Sequence, residues 1–286
     1  MSDARVDRPD EALARAITLL RGRTVAVLSG AGISTESGIP DYRGPGTTAR
    51  ARQPIRFQEY AASAEGRARY WARAMVGWPR FAAAAPNEGH RAIASLQRRG
   101  VVDGLITQNV DELHQRAGSP SVIELHGTLH RVRCLECGGL EPRTQVHARV
   151  VADNPELEHA RVHDPEAAEV RPDGDVELPT RLLAGFRPPS CLRCGGRLKP
   201  DVVFFGESVP AEVVEHAHAC LSAADALLVV GSSLAVFSGY RFVRRASERG
   251  QPIVIVNLGA TRGDDYASIR VDARAGEVLP ALAAAL

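Results

Sequence analysis

Four of the five cysteines fall in two Cys-x-x-Cys pairs, Cys134 with Cys137 and Cys191 with Cys194. The pairs stand far apart in sequence, so they serve one site only if the chain between them folds back on itself. Disulfides would be the secreted alternative. No N-terminal apolar stretch resembles a signal peptide, because the run 24–28 is too short and begins too late. In a reducing compartment, paired Cys-x-x-Cys reads as zinc. A closed set of four sulfurs holds such an ion for structure and leaves no open position for catalysis. Cys220 is left over and reads as a core residue.

At 286 residues the chain suffices for one large domain or two modest ones. A net charge of +1 gives no electrostatic case for nucleic acid or an anionic membrane. No segment approaches the about 20 apolar residues of a membrane span. Asp3, Asp7, Asp10 and Glu11 argue against an organelle transit peptide, and a cytoplasmic location is expected. Lys199 is the only lysine among 35 basic residues, a bias that fits a GC-rich genome and needs no functional cause.

Apolar and charged residues alternate at helical spacing over 10–21, with Leu13, Ile17 and Leu20 on one face and Gly22 at the end. Residues 24–28 form a short, continuous apolar strand, the kind buried on both faces of a parallel sheet. Strands are predicted at 101–107, 121–125, 226–231 and 252–257, and helices at 86–99, 110–117, 239–249 and 275–286. Such alternation predicts an α/β fold with a doubly wound, Rossmann-like parallel sheet. Residues 44–80 read as a loop followed by helices. The proline-rich, polar stretch 138–190, with the turn Pro172-Asp173-Gly174-Asp175, breaks the pattern and belongs with the cysteines. The expected division is a Rossmann-like domain (1–43, 81–130 and 202–286), a cofactor loop with a helical module (44–80) and a zinc-binding module (131–201).

The first strand runs into Gly30-Ala31-Gly32. A glycine turn opening a helix suits a pyrophosphate, since glycine admits close backbone approach and a helix N-terminus offers free N–H groups. The dehydrogenase fingerprint would place a third glycine where Thr35 stands, and no acidic residue ends a second strand about 20 residues on, so hydride transfer fits poorly.

The turn continues as Ile33-Ser34-Thr35-Glu36-Ser37-Gly38-Ile39-Pro40-Asp41-Tyr42-Arg43. Then come Thr107-Gln108-Asn109-Val110-Asp111, His126-Gly127, the cysteine pairs, Val202-Val203-Phe204-Phe205-Gly206-Glu207, Gly231-Ser232-Ser233-Leu234 and Val256-Asn257-Leu258-Gly259. This ordered set resembles the sirtuins, the Sir2 family of NAD-dependent lysine deacylases, over roughly the whole chain from residue 10. Tyr70-Trp71-Ala72-Arg73, Gly77-Trp78-Pro79 and Ser238-Gly239-Tyr240-Arg241 are similar to the class II branch, and a bacterial cytosolic member is expected.

The resemblance implies NAD as cofactor, one structural zinc and acylated lysines of proteins as partners. It implies that acyl groups leave lysine as O-acyl-ADP-ribose while nicotinamide is released. By the same resemblance His126 is the base, with Asn109 and Asp111 at the nicotinamide end. A base titrating near neutrality suits deprotonation of a hydroxyl, which favours histidine independently. Cofactor contacts are expected from Gly30, Ala31, Gly32, Ser34, Thr35, Ile39, Asp41, Tyr42, Arg43, Gln108 and Val110, and from Gly231, Ser232, Ser233, Asn257, Leu258, Gly259 and Ala275. Val203, Phe204, Phe205 and Gly206 are expected to lend an edge to an extended peptide, with Phe237 and Ser238 opposite. Tyr70 and Arg73 share a helix face, and Arg73 is expected to meet an acidic acyl chain. Mono-ADP-ribosyl transfer and a non-catalytic NAD-binding regulator are the alternative readings of the same pocket.

Overall fold

The computed structural model describes residues 9–42, 55–163, 176, 178, 183 and 185–286. In chain order come helix α1 (Pro9–Leu20), strand β1 (Val25–Ser29), helices α2 (Phe57–Ala62), α3 (Ala64–Ala83) and α4 (Glu88–Arg98), and strand β2 (Val102–Thr107). The single turn α5 (Leu113–Arg116) leads to strands β3 (Ile123–Glu124), β4 (Gly127–Cys134) and β5 (Leu140–Pro142). Helices α6 (Arg143–Asp153) and α7 (Pro155–His163), strand β6 (Leu198–Val202), helix α8 (Ala211–Ala223) and strand β7 (Ala226–Val230) follow. Helix α9 (Phe237–Glu248), strands β8 (Ile253–Val256) and β9 (Ile269–Val271) and helix α10 (Ala275–Ala285) complete the chain.

Six strands form a parallel sheet in the order β3-β2-β1-β7-β8-β9. Counted within the sheet this is 3-2-1-4-5-6, the order of dinucleotide-binding folds. The direction of winding reverses between β1 and β7, and ligands bind outside the carboxyl ends of strands at such a switch point. Side chains alternate across each strand, yet both faces are covered. Val25 and Val27 enter a core with α1, α4 and α10, whereas Ala26 and Leu28 enter another with α8 and α9. That double burial is why the strands read as unbroken apolar runs. Cys220 packs against the second of these cores; a Cβ on Gly104 of β2 would collide with its sulfur.

A second, antiparallel sheet has the order β5-β4-β6. It shares one core with α2 and α3, in which Tyr60, Trp71 and Met75 meet Val132, Cys134, Leu198 and Phe204. Helix α3 starts where the Ser63 side chain accepts from Gly66 N at 3.0 Å, satisfying one of the donors that a helix start leaves over. Its residues Trp71, Met75 and Trp78 recur at three- and four-residue spacing and are all buried. Burying each such side chain stabilises the fold by roughly 1.5–3 kcal/mol. Trp71 Nε1 donates to Tyr60 Oη at 2.9 Å, and Tyr60 Oη donates to the Leu198 carbonyl of β6. The Arg143 guanidinium lies 4.7 Å from the Trp71 ring and 5.1 Å from the Trp78 ring, pinning α6 to α3.

Two expectations differ in extent. The helix predicted at 110–117 is one turn, and the strand predicted at 121–125 is two residues long. The stretch 138–190 contains β5, α6 and α7. Pro142 caps α6 and Pro155 opens α7, positions where a missing N–H costs nothing, so these prolines start helices where the sequence reading took them as breakers. Pro172-Asp173-Gly174-Asp175 lies outside the described residues. Among the described residues no helix is long and apolar enough to cross a membrane.

Candidate active site

The carboxyl ends of the parallel sheet open onto a cavity of about 700 Å³, within the range of small-molecule sites. Its floor is the switch point, formed by Gly30, Ala31 and Gly32 after β1 and by Gly231, Ser232 and Ser233 after β7. Asn257, Leu258 and Gly259 after β8 extend it on one side. Ser34, Ile39, Asp41 and Tyr42 border it, as do Gln108, Asn109, Val110 and Asp111 after β2 and His126 after β3. Val203, Phe204, Phe205 and Gly206 face Phe237 and Ser238 across it.

The glycine turn departs from expectation. Two short 3₁₀ turns, Ala31–Ile33 and Thr35–Ser37, follow it where an α-helix was expected, so the turn brings no long helix dipole. Chain crowding explains its glycines. A Cβ on Gly32 would lie 2.9 Å from the Gly231 carbonyl oxygen. One on Gly231, whose φ is 60°, would collide with Ile33 N. Neighbouring parallel strands leave the sheet through one gap, and Gly32 N donates to Gly231 O at 2.8 Å there.

A polar network ties the turn to the loop after β2. Asn109 Nδ2 donates to Ser34 Oγ at 3.0 Å and to Gly30 O at 3.2 Å, and Ser34 Oγ donates to Asp111 Oδ2 at 2.7 Å. Asp111 Oδ1 accepts from Leu113 N, the first residue of α5, at 3.0 Å, one position before the Glu112 N-cap, while Asp111 also lines the cavity. Burial pushes its carboxyl above the usual range, against the Leu113 N–H and the Ser34 hydroxyl. Gln108 Nε2 donates to Ser232 Oγ at 2.9 Å and links the loops after β2 and β7.

His126 Nδ1 lies 2.8 Å from the Gln108 carbonyl oxygen, and Nε2 lies 2.8 Å from Ser238 Oγ. A carbonyl can only accept, so Nδ1 carries the proton and Nε2 offers its lone pair to the Ser238 hydroxyl. Burial holds the imidazole below the usual histidine range; the Gln108 bond opposes this and Arg241 reinforces it. His126 is therefore neutral at pH 7, with its basic nitrogen on the cavity side.

Behind this layer lies a histidine pair that the sequence reading missed. His90 and His114 are fully buried, with ring centres 4.8 Å apart. His114 Nε2 is 2.9 Å from Ser29 Oγ, which donates to Thr107 Oγ1 at 2.9 Å; Thr107 Oγ1 in turn accepts from Asn109 N at 3.1 Å. His90 Nε2 is 3.4 Å from Ser34 Oγ. His90 left a signal, because Asn87 and His90 form the capping box that starts α4. His114 left none, sitting in a turn too short for periodicity.

Burial first, then Arg91, lowers His90 from 6.5 to about 4, and burial lowers His114 well below 6.5. Above pH 6.5 neither the folded nor the unfolded chain protonates the pair, which then adds no pH dependence. Between pH 6.5 and about 4 the unfolded chain binds protons that the folded chain refuses, so stability falls with falling pH. His90 alone contributes on the order of 3 kcal/mol to that loss. Calorimetric melting midpoints should drop through this window, and His90→Asn should flatten the slope; an unaltered slope would locate the effect elsewhere.

The far end of the cavity is apolar, lined by Ile39, Ile55, Tyr70, Val110, Leu129 and Phe204. Tyr70 packs edge-on to Tyr60 at 5.5 Å and tilted against Phe204 at 5.4 Å. Arg73 is not on the described cavity wall. Nor is Thr35, whose Oγ1 donates to Gly32 O at 3.1 Å, nor Ala275, buried at the start of α10. Arg43 lies outside the described residues.

Val203 N donates to His126 O at 2.9 Å, Phe204 N to Glu207 Oε2 at 2.7 Å, and Phe57 N to Phe205 O at 3.0 Å. Phe205 also pairs in parallel with Arg56, so this segment is held between His126, just before β4, and the start of α2, with the Val203 carbonyl lacking a backbone partner among the described residues. The facing wall is the first turn of α9. Phe205 and Phe237 rim the opening at 40% and 51% exposure. Beneath them Lys199, the single lysine, is buried, its Nζ 2.8 Å from Glu207 Oε2 and 4.6 Å from the Phe204 ring centre.

The ligand atoms of Cys134, Cys137, Cys191 and Cys194 lie within 4.8 Å of one another. Cys134 and Cys194 sulfurs are 3.5 Å apart and those of Cys137 and Cys191 3.8 Å, and all four cysteines are free. Bonds of about 2.3 Å to a tetrahedral ion set sulfurs about 3.8 Å apart, so the cluster fits a structural zinc.

Residues 30–238 match the Sir2 family. The chain is 52% identical over 272 residues to NAD-dependent protein deacetylase 1 of Streptomyces coelicolor, covering 95% of this chain and 89% of that protein. It is 48% identical over 271 residues to NAD-dependent protein lipoamidase sirtuin-4, mitochondrial, of Homo sapiens, covering 94% and 84%. Among solved structures it is similar to "Sir2-p53 peptide-NAD+", with a TM-score of 0.72 and 30% identity over 94% of this chain and 96% of that one. Extended identity and a shared fold over nearly the whole length lead to one conclusion: the chain belongs to the Sir2 family.

Proposed function

We propose that the chain is an NAD-dependent protein-lysine deacylase that releases nicotinamide and O-acyl-ADP-ribose. The observation that carries this reading is His126, neutral, with its Nε2 lone pair beside a cavity lined by both the dinucleotide switch point and the apolar cluster of Ile39, Tyr70, Leu129 and Phe204. When bound, NAD would supply an electrophilic ribose carbon for the acyl oxygen, with nicotinamide as the leaving group. His126 Nε2 exchanges the Ser238 hydroxyl for a substrate hydroxyl and takes its proton. The Gln108 carbonyl fixes the tautomer and stabilises the resulting imidazolium. Asn109, held by Ser34 and Gly30, orients the ribose end, and Asp111 accepts from the carboxamide. The switch-point residues Gly30, Gly32, Ser232 and Ser233, with Asn257 beside them, hold the rest of the dinucleotide.

The segment 203–206, which lines the cavity opposite Phe237 and Ser238, takes the peptide backbone of an acylated protein, which reads shape more than sequence. The tunnel wall of Tyr70, Phe204 and Leu129 favours an uncharged acyl chain. In this reading residues 1–43, 81–130 and 202–286 carry the dinucleotide, and 44–80 with 131–201 frame the acyl-lysine end. A reducing cytoplasm suits the four thiolates.

The test is a panel of acetyl-, lipoyl- and succinyl-lysine peptides with NAD, followed by mass spectrometry. Nicotinamide and O-acyl-ADP-ribose should appear together, with uncharged acyl groups preferred. Nicotinamide released while ADP-ribose accumulates on protein would replace this reading by ADP-ribosyl transfer.

A further inference from the structure

The cavity wall holds a cation that, beyond helping keep His126 neutral, has no assigned contact in the chemistry above. Arg241 lies on α9 four residues after Phe237 and three after Ser238, so one helix face presents all three at the cavity. Its guanidinium carbon stands 5.2 Å from the centre of the exposed Phe237 ring. Its side chain makes no ion pair or hydrogen bond among the described residues, and its Nε is buried without a partner. The other charged groups of the described wall are engaged. Asp111 takes Ser34 and Leu113, Glu207 takes Lys199 and Phe204 N, and Asp41 has a partner. His126 is neutral.

A desolvated donor without an acceptor is costly, and an incoming anion recovers that cost. The diphosphate of a dinucleotide belongs at the strand ends, where Gly30, Gly32 and Ser232 lie. Arg241 lines the same cavity from α9, beside Ser238 and Phe237, on the wall facing Val203 to Gly206. A guanidinium there offers a planar fork that matches a carboxylate.

We propose that Arg241 is a specificity-determining residue that binds an aspartate or glutamate side chain adjacent to the acyl-lysine of the substrate protein. This rests on the deacylase reading. It goes beyond that reading by assigning a sequence preference to a site whose backbone pairing has none.

The experiment compares acyl-lysine peptides that differ only in Glu or Gln beside the modified lysine, on either side in turn. Wild-type kcat/KM should favour one Glu peptide about fivefold, the scale of one partly solvated charge-assisted contact. The ratio should shrink with added salt. Arg241→Gln should bring it near one, Arg241→Lys should keep part of it, and Arg241→Glu should reverse it toward a lysine-flanked peptide. A Glu preference that survives Arg241→Gln overturns the proposal. So does a raised KM for NAD with peptide preference intact, which would make Arg241 a diphosphate contact. Fluorescence anisotropy of the same peptides without NAD is read alongside. There Arg241→Gln should weaken the Glu peptide selectively even if turnover is absent, an outcome that removes the deacylase reading and keeps the carboxylate contact. Equal affinities for both peptides remove the contact. Retained metal content and melting behaviour of Arg241→Lys separate misfolding from lost recognition.

Discussion

Exchange of His126 for alanine is expected to lower kcat by about 10²–10⁴-fold, the usual cost of losing a general base. The dinucleotide should still bind, because the switch-point glycines and serines are untouched, and calorimetric titration with NAD checks this. The wild-type pH profile makes the prediction more specific. The active form of the base is neutral, and burial lowers the His126 pKa, so the group stays active to lower pH than a free histidine. The acid limb of kcat/KM should therefore lie below pH 6.5 and vanish in the alanine variant. A limb centred above pH 6.5 would assign the proton to a different group.

Removing the metal should have the largest effect on stability. Four-thiolate zinc sites supply about 10–16 kcal/mol of apparent binding energy in small domains. Chelation, or Cys191→Ala, should expose the β4–β6 sheet to limited proteolysis and release one zinc per chain by atomic emission. The damage should not stay local. Cys134 and Cys191 are buried in the same core as Trp71, Leu198 and Phe204, and Phe204 lines the tunnel. Loss of zinc should thus abolish acyl-peptide turnover together with the module. A metal-free protein that kept both its protease resistance and its activity would show that the cluster is dispensable.

The parallel sheet was legible because burial on both faces leaves strands with no polar alternation, as in residues 25–29 and 226–230. Strands of the small sheet were not. Arg131, Arg133, Lys199 and Asp201 interrupt β4 and β6 with charge; Arg131 and Arg133 pair with Asp201 across the strands and Lys199 with Glu207 beyond β6, hiding the apolar face. Helices α6 and α7 were hidden behind their own starting prolines. The catalytic candidate was found by its motif, and its position after β3 followed from the strand pattern. Its tautomer, by contrast, depends on the Gln108 carbonyl and Ser238, brought together from distant parts of the chain. The glycines were found for an incomplete reason, since the sequence does not reveal that Gly32 and Gly231 press against each other. Arg241 appeared only as the last residue of the Ser238-Gly239-Tyr240-Arg241 motif, and nothing in that motif tells a cavity-facing arginine from a solvated one.

The burial of Lys199 has a practical side. Amine-directed labels and crosslinkers meet no accessible side-chain amine on the described surface, since the one lysine is closed in by Glu207 and Phe204. In a mixture with a partner protein, such reagents would mark the partner's lysines and leave this chain's side chains blank. A crosslink that did reach Lys199 would report opening of the segment around Phe204 and Glu207, making that residue a built-in gauge of local unfolding.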